Sequence, residues 1–196
     1  MPRIIAILCV LALFGARPLA AEPSQTEARE SARWVLIGLR VLAYDKTLAK
    51  RKPGDAVTIG LVAGTKAAGQ KERARWQAGF AQLPRVKVSG RPVRIVMLDY
   101  KTEQAFDVAL VKHAPAAVIV ASDLIGELPA IRKVTRARDV LTMTQREQSV
   151  RDGLSVGLVA GEERAEIVIN IEAAREEGVR FGAGLLQLAR LVDEGR

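Results

Sequence analysis

The chain has 196 residues, 49% of them apolar and 27% charged, and its 30 Lys and Arg against 22 Asp and Glu leave a net charge of +8. That length and apolar share suffice for one domain with a core of its own. A single cysteine excludes an internal disulfide, and with a single histidine it is too little for a zinc or other transition-metal site.

Residues 1–21 have the layout of a secretory signal peptide. Arg3 is followed by an apolar run from Ile4 to Phe14, and Pro18-Leu19-Ala20-Ala21 offers a cleavage site after Ala21. The run is shorter than the roughly 20 residues a membrane span needs. Cys9 lies inside it behind Leu8, where a lipidation site wants a small residue, so cleavage leaves a chain without a thiol. Export also removes nucleic acid as the partner of the basic surface. What remains is attraction to an acidic partner or to an acidic envelope surface.

Residues 22–30 are polar and predict a flexible segment ahead of a domain spanning 31–196. Ser31 to Leu48 has helical periodicity and is apolar over most of its circumference through Trp34, Leu36, Ile37, Val41 and Tyr44. One sheet covers only one stripe of such a helix. A partner interface, or a homodimer using the same face, is therefore expected at Trp34, Ile37, Val41 and Tyr44. The basic turn with Arg51 and Lys52 would steer an acidic partner.

Strands and helices then alternate. Val57 to Val62 is a strand and Lys66 to Leu83 a helix; Val93 to Leu98 is the next strand, with Arg85 to Val88 as an edge ribbon. Thr102 to His113 is helical, Ala116 to Ala121 reads as a central strand, Leu124 to Arg136 as a helix and Val140 to Met143 as a short strand. Leu154 to Val159 and Glu166 to Ile171 form a hairpin. Asn170 caps a short helix at Glu172–Glu176, Gly178 ends it, and Leu185, Leu188, Ala189 and Val192 mark a final amphipathic helix. The expected fold is a single three-layer α/β domain. Its mainly parallel sheet is flanked by helices and carries an antiparallel C-terminal hairpin and a terminal helix.

No catalytic, cofactor or metal constellation emerges. His113 sits at a helix end, where it favours the C-terminal dipole. Glu162-Glu163 and Glu176-Glu177 read as solvated pairs. The Gly60 to Lys71 stretch lacks the spacing of a phosphate loop. A ligand cleft, if one exists, belongs at the carboxyl ends of the parallel strands. Those ends supply Gly64 and Thr65, Ser122 and Asp123, and Thr144 and Gln145. The same residues are also suited to capping the helices that follow.

Three segments carry a family resemblance: Val140-Leu141-Thr142-Met143-Thr144 with Val150 to Leu158, Val168 to Arg175 (VINIEAAR), and Gly178 to Arg190. They resemble the corresponding segments of YfiR-like proteins. The resemblance implies a single α/β domain, often dimeric, that acts in the periplasm on the sensor region of a membrane diguanylate cyclase or a sensor kinase. It implies no enzyme activity and contact with the membrane only through the partner. Redox-sensitive members carry paired cysteines, which this chain lacks after cleavage, so disulfide gating has no basis here. A small solute-binding module using the strand-end cleft is the alternative.

Overall fold

Ser24 starts the first helix. Its hydroxyl accepts the Glu27 N–H at 3.2 Å, and the Glu27 carboxylate accepts the Ser24 N–H at 2.8 Å, a reciprocal cap. The computed structural model describes residues 23–83, 85–161 and 165–193. The expected signal peptide and the Glu162-Glu163-Arg164 turn lie outside them. Helix α1 runs Gln25–Ala43, so most of the segment expected as a tether is helix.

After α1 come α2 (Leu48–Arg51), β1 (Val57–Gly64), α3 (Ala67–Ala81), β2 (Lys87–Val88), β3 (Arg91–Tyr100), α4 (Glu103–His113) and β4 (Ala117–Val120). A 3-10 segment, Ser122–Glu127, leads into α5 (Leu128–Ala137). Then follow β5 (Leu141–Thr144), α6 (Glu147–Arg151), β6 (Val156–Ala160), β7 (Ala165–Asn170), α7 (Ile171–Glu176), α8 (Ala183–Leu186) and β8 (Arg190–Val192).

The eight strands form one sheet in the order β2-β3-β1-β4-β5-β6-β7-β8. Strands β3, β1, β4, β5 and β6 are parallel neighbours; β6 and β7 are the expected antiparallel hairpin. Alternation along the central strands sends side chains to two cores. Ile59, Leu61, Ile119 and Met143 pack under α1 and α3 with Trp34, Leu39 and Trp76. Val62, Val118 and Val120 pack under α4 and α5 with Phe106 and Ile131. The architecture is the expected three-layer α/β domain.

The terminus departs from expectation. Only Ala183–Leu186 is helical, and the chain then extends as β8, parallel to β7 with Ile169 opposite Leu191. Leu185 is buried, whereas Leu188 is 71% and Leu191 49% exposed. The open edge of β7 captures the segment because its backbone groups need partners more than a short helix needs to form. Arg190 anchors it with two bonds to Glu147, at 2.9 and 2.6 Å. Arg190 and then Arg151 hold the Glu147 carboxyl down at about 2.

Candidate functional site

The residues expected at the carboxyl ends of the strands fall in two groups, Gly64 with Asp123, and Ser122 with Thr144 and Gln145. The Gly64 N–H donates to Asp123 at 3.0 Å. Thr144 is buried, and its hydroxyl accepts the Arg146 N–H at 3.2 Å. Gln145 accepts from the Arg75 guanidinium at 2.7 Å; the same nitrogen reaches Glu72 at 2.8 Å, and Arg75 lies 5.2 Å from the Trp76 ring centre. Thr65 and Ser122 are exposed at the rim. The space among Glu72, Trp76, Ser122, Thr144 and Gln145 is about 10 Å³, room for one water at most.

Gly69 shows how tightly this end is closed. A Cβ there would collide with the Gly64 carbonyl and come within 2.6 Å of an Asp123 carboxylate oxygen. Backbone cannot yield as a side-chain tip can. Gly69→Ala is therefore expected to destabilise the domain by about 2 kcal/mol or more, read by urea unfolding. A change within a few tenths of a kcal/mol would mean that α3 is free to lift.

The face of α1 is also largely occupied. Trp34 and Val41 are buried, at 6% and 1% exposed, in the chain's own core beneath the sheet. Ile37 is half-buried and packs against that core; Tyr44, at 43% exposed, is open. The sheet and α3 cover the apolar side of α1, and Arg29, Glu30, Arg33 and Arg40 occupy its exposed side. Gly79 of α3 approaches so closely that a Cβ would lie 2.5 Å from the Ser31 Cβ.

The basic turn meets the C-terminal motif at the amino ends of the strands. Lys46 donates its backbone N–H to Arg180 at 2.9 Å and Gly182 to Tyr44 at 3.0 Å, and Asp45 bridges Phe181. Inside this clasp the Asp45 carboxylate accepts from Arg51 at 2.7 Å, Thr47 N–H at 2.8 Å and Arg180 N–H at 3.4 Å. The Thr47 hydroxyl lies 2.6 Å from Asp45 and 2.8 Å from the Gly178 carbonyl. Gly178, at φ +72, takes the left-handed turn expected of it. Arg51 also donates to the Asp139 carbonyl, and its side chain is only 5% exposed, that of Asp45 0%. Arg51 is thus a buried structural charge, not the expected steering residue. Lys52 is half-buried against the Arg138 carbonyl at 2.9 Å. Burial, and then the Arg51 charge, hold its ammonium below the usual range, with Asp139 opposing.

Beside the clasp opens a cavity of about 1070 Å³. The exposed side chains of Lys46, Lys50, Arg175 and Arg180 line it with Ile171, Phe181 and Leu186, and Asp139 is the one acid. Four cations around one acid favour an anionic group. Glu177 lies beneath, fully buried, where a solvated residue was expected. It accepts from Thr142 N–H at 2.8 Å, Thr135 Oγ1 at 3.2 Å and Ser155 Oγ. Burial pushes its carboxyl up to about 7 against the opposing pull of these bonds. Among the described residues no group of three His, Cys, Asp or Glu could hold a metal, and no helix is long and apolar enough to cross a membrane.

The C-terminal half of the clasp, Arg51 and most of the cavity lining fall in a stretch that matches a known family, whereas Asp45 to Lys50 precede it. The model of the family described as YfiR/HmsC-like covers residues 51–190. The chain belongs to the YfiR/HmsC-like family. No curated protein sequence matches it. Among solved structures it is similar to a conserved domain protein of Vibrio cholerae O1 biovar El Tor, with 12% identity and TM-score 0.58 over 82% of this chain and 59% of that one. It is also similar to CD0873 of Clostridium difficile, a substrate-binding protein with adhesive properties, at 13% identity and TM-score 0.54 over 75% and 58%. A third likeness is to an ABC domain from Streptococcus pneumonia in complex with L-Trp, at 14% and 0.52 over 78% and 60%. The chain spans less than two thirds of each of these structures, and the likeness is one of fold.

Proposed function

We propose that this YfiR/HmsC-like domain is an exported regulator that binds the periplasmic part of a membrane signalling protein, a diguanylate cyclase or a sensor kinase, and sets its output without catalysing a reaction. The observation that carries this reading is the family match, which spans residues 51–190 and so most of the sheet and the C-terminal half of the clasp. The small space among Ser122, Thr144 and Gln145, about 10 Å³, supports it too, because it is too small for a solute at that corner of the strand ends.

A binding regulator acts only through unequal affinity for its target's two states, and a near-complete switch needs about 5.5 kcal/mol of difference. Deleting the gene should therefore change cyclic-di-GMP level or kinase output. The domain expressed without residues 1–21, and so kept from the periplasm, should fail to restore it. Affinity capture from solubilised envelopes should retain the signalling protein.

The second reading is sensing of a small anionic solute, and the basic cavity is the observation that favours it. Unchanged signalling after deletion, together with a melting temperature raised by a small carboxylate or phosphate compound, would replace the first reading with the second.

A further inference from the structure

We propose that the outer edge of β3, from Arg94 to Tyr100, takes an extended acidic segment of the partner protein as an added strand. The inference rests on the regulatory reading and names the surface that reading needs.

Strand β3 pairs with β1 on one side along Val93 to Tyr100. On its other side β2 meets only Arg91 and Pro92, with one further bond from the Val93 N–H to the Val86 carbonyl at 3.2 Å. Peptide groups alternate sides along a strand. Since those of Val93 point outward, so do those of Ile95, Met97 and Asp99. Among the described residues no strand receives these three N–H and three C=O groups. An open edge of this length is a template for another strand.

The side-chain surroundings suit an added strand as well. Ile95, Val96 and Met97 are only half-buried at this edge. Beside it an apolar groove of about 320 Å³ is lined by Leu39, Phe80, Leu83 and Val93, deep enough for one large side chain of the added strand.

Charge selects the occupant. Arg85, Lys87, Arg94 and Lys101 are exposed along the edge, and the nearest acid, Asp99, is already paired with Arg73. A second copy of this chain would set these cations against their own kind, which opposes edge-to-edge self-pairing. An acidic extended segment gains the same cations as partners.

The test uses a synthetic peptide of about six alternating valines and threonines flanked by glutamates, with a lysine-flanked version as control. Hydrogen exchange on the protein should show the amides of Ile95, Met97 and Asp99 unprotected alone and protected by the acidic peptide. The lysine-flanked peptide should bind about tenfold more weakly or worse. Met97→Pro removes an outward N–H without touching the bonds to β1, and should abolish binding. The double variant Lys87→Glu, Arg94→Glu, which leaves the backbone intact and two cations against two acids along the edge, should abolish the preference between the peptides.

Several results would overturn the proposal: protection of these amides in the free monomer, no protection by either peptide, or an undiminished preference in the double variant. Envelope capture of the signalling protein by the Lys87→Glu, Arg94→Glu variant, at undiminished yield, would overturn the edge while leaving the regulatory reading in place.

Discussion

Asp45→Ala should lower stability by about 3–5 kcal/mol, because it strands the Arg51 guanidinium in a site where its side chain is 5% exposed. For a domain of this size that is a fall in melting temperature on the order of 10 °C. The loss exceeds that of an ordinary surface ion pair because the carboxylate also holds the Thr47 and Arg180 N–H groups. The double variant Asp45→Ala, Arg51→Met removes the orphaned charge and should recover part of the loss. Urea unfolding of the single and double variants measures both. A single variant within about 1 kcal/mol of the wild type, the cost of one neutral hydrogen bond, would show that water reaches the pair.

Glu177 predicts an unusual dependence of stability on pH. Its carboxyl is raised from 4.5 to about 7 in the folded chain, so the folded state binds the proton more tightly than the unfolded one. Between those values the native state carries more protons, and stability falls as pH rises. The contribution is complete below about pH 4.5 and lost on passing about pH 7, on the order of 3 kcal/mol in all. Glu177→Gln keeps an acceptor for the Thr142 N–H and the Ser155 hydroxyl and turns a donor toward the Thr135 hydroxyl, without a charge to bury. The variant should therefore be more stable than wild type at pH 8 and nearly equal to it at pH 5. Parallel slopes for the two proteins across that window would rule out Glu177 as the titrating group.

The central sheet was legible because its strands are apolar on both faces, as in Ala117–Val120, and such runs admit few other structures. The strand-end rule also brought Gly64, Asp123, Thr144 and Gln145 to one end of the sheet, in two groups, though it could not foresee Arg75 reaching Gln145 from α3. The cap at Ser24 was readable, since Ser-x-x-Glu is a start signal, but the polar composition of 22–30 spoke louder. The last strand was not readable. Leu185, Leu188 and Val192 fit a helical face, and only the unpaired edge of β7 decides against it. Nor does any local pattern separate Glu176, paired with Arg136 at the surface, from its buried neighbour Glu177. Asp45 and Arg51 stand six positions apart, yet what buries them arrives from more than a hundred residues downstream.

That last separation governs when the domain can finish folding. Thr47 meets Gly178 across 131 positions of sequence, and Arg180 meets Asp45 across 135. While the chain is made, or threaded through a pore amino end first, the clasp has no second half. Its first half then holds an Asp45–Arg51 pair that lacks the Gly178 and Arg180 backbone groups which complete it. Contacts so distant form slowly and late. The burial of Asp45 and Arg51 thus waits until residues 178–180 are free to reach them.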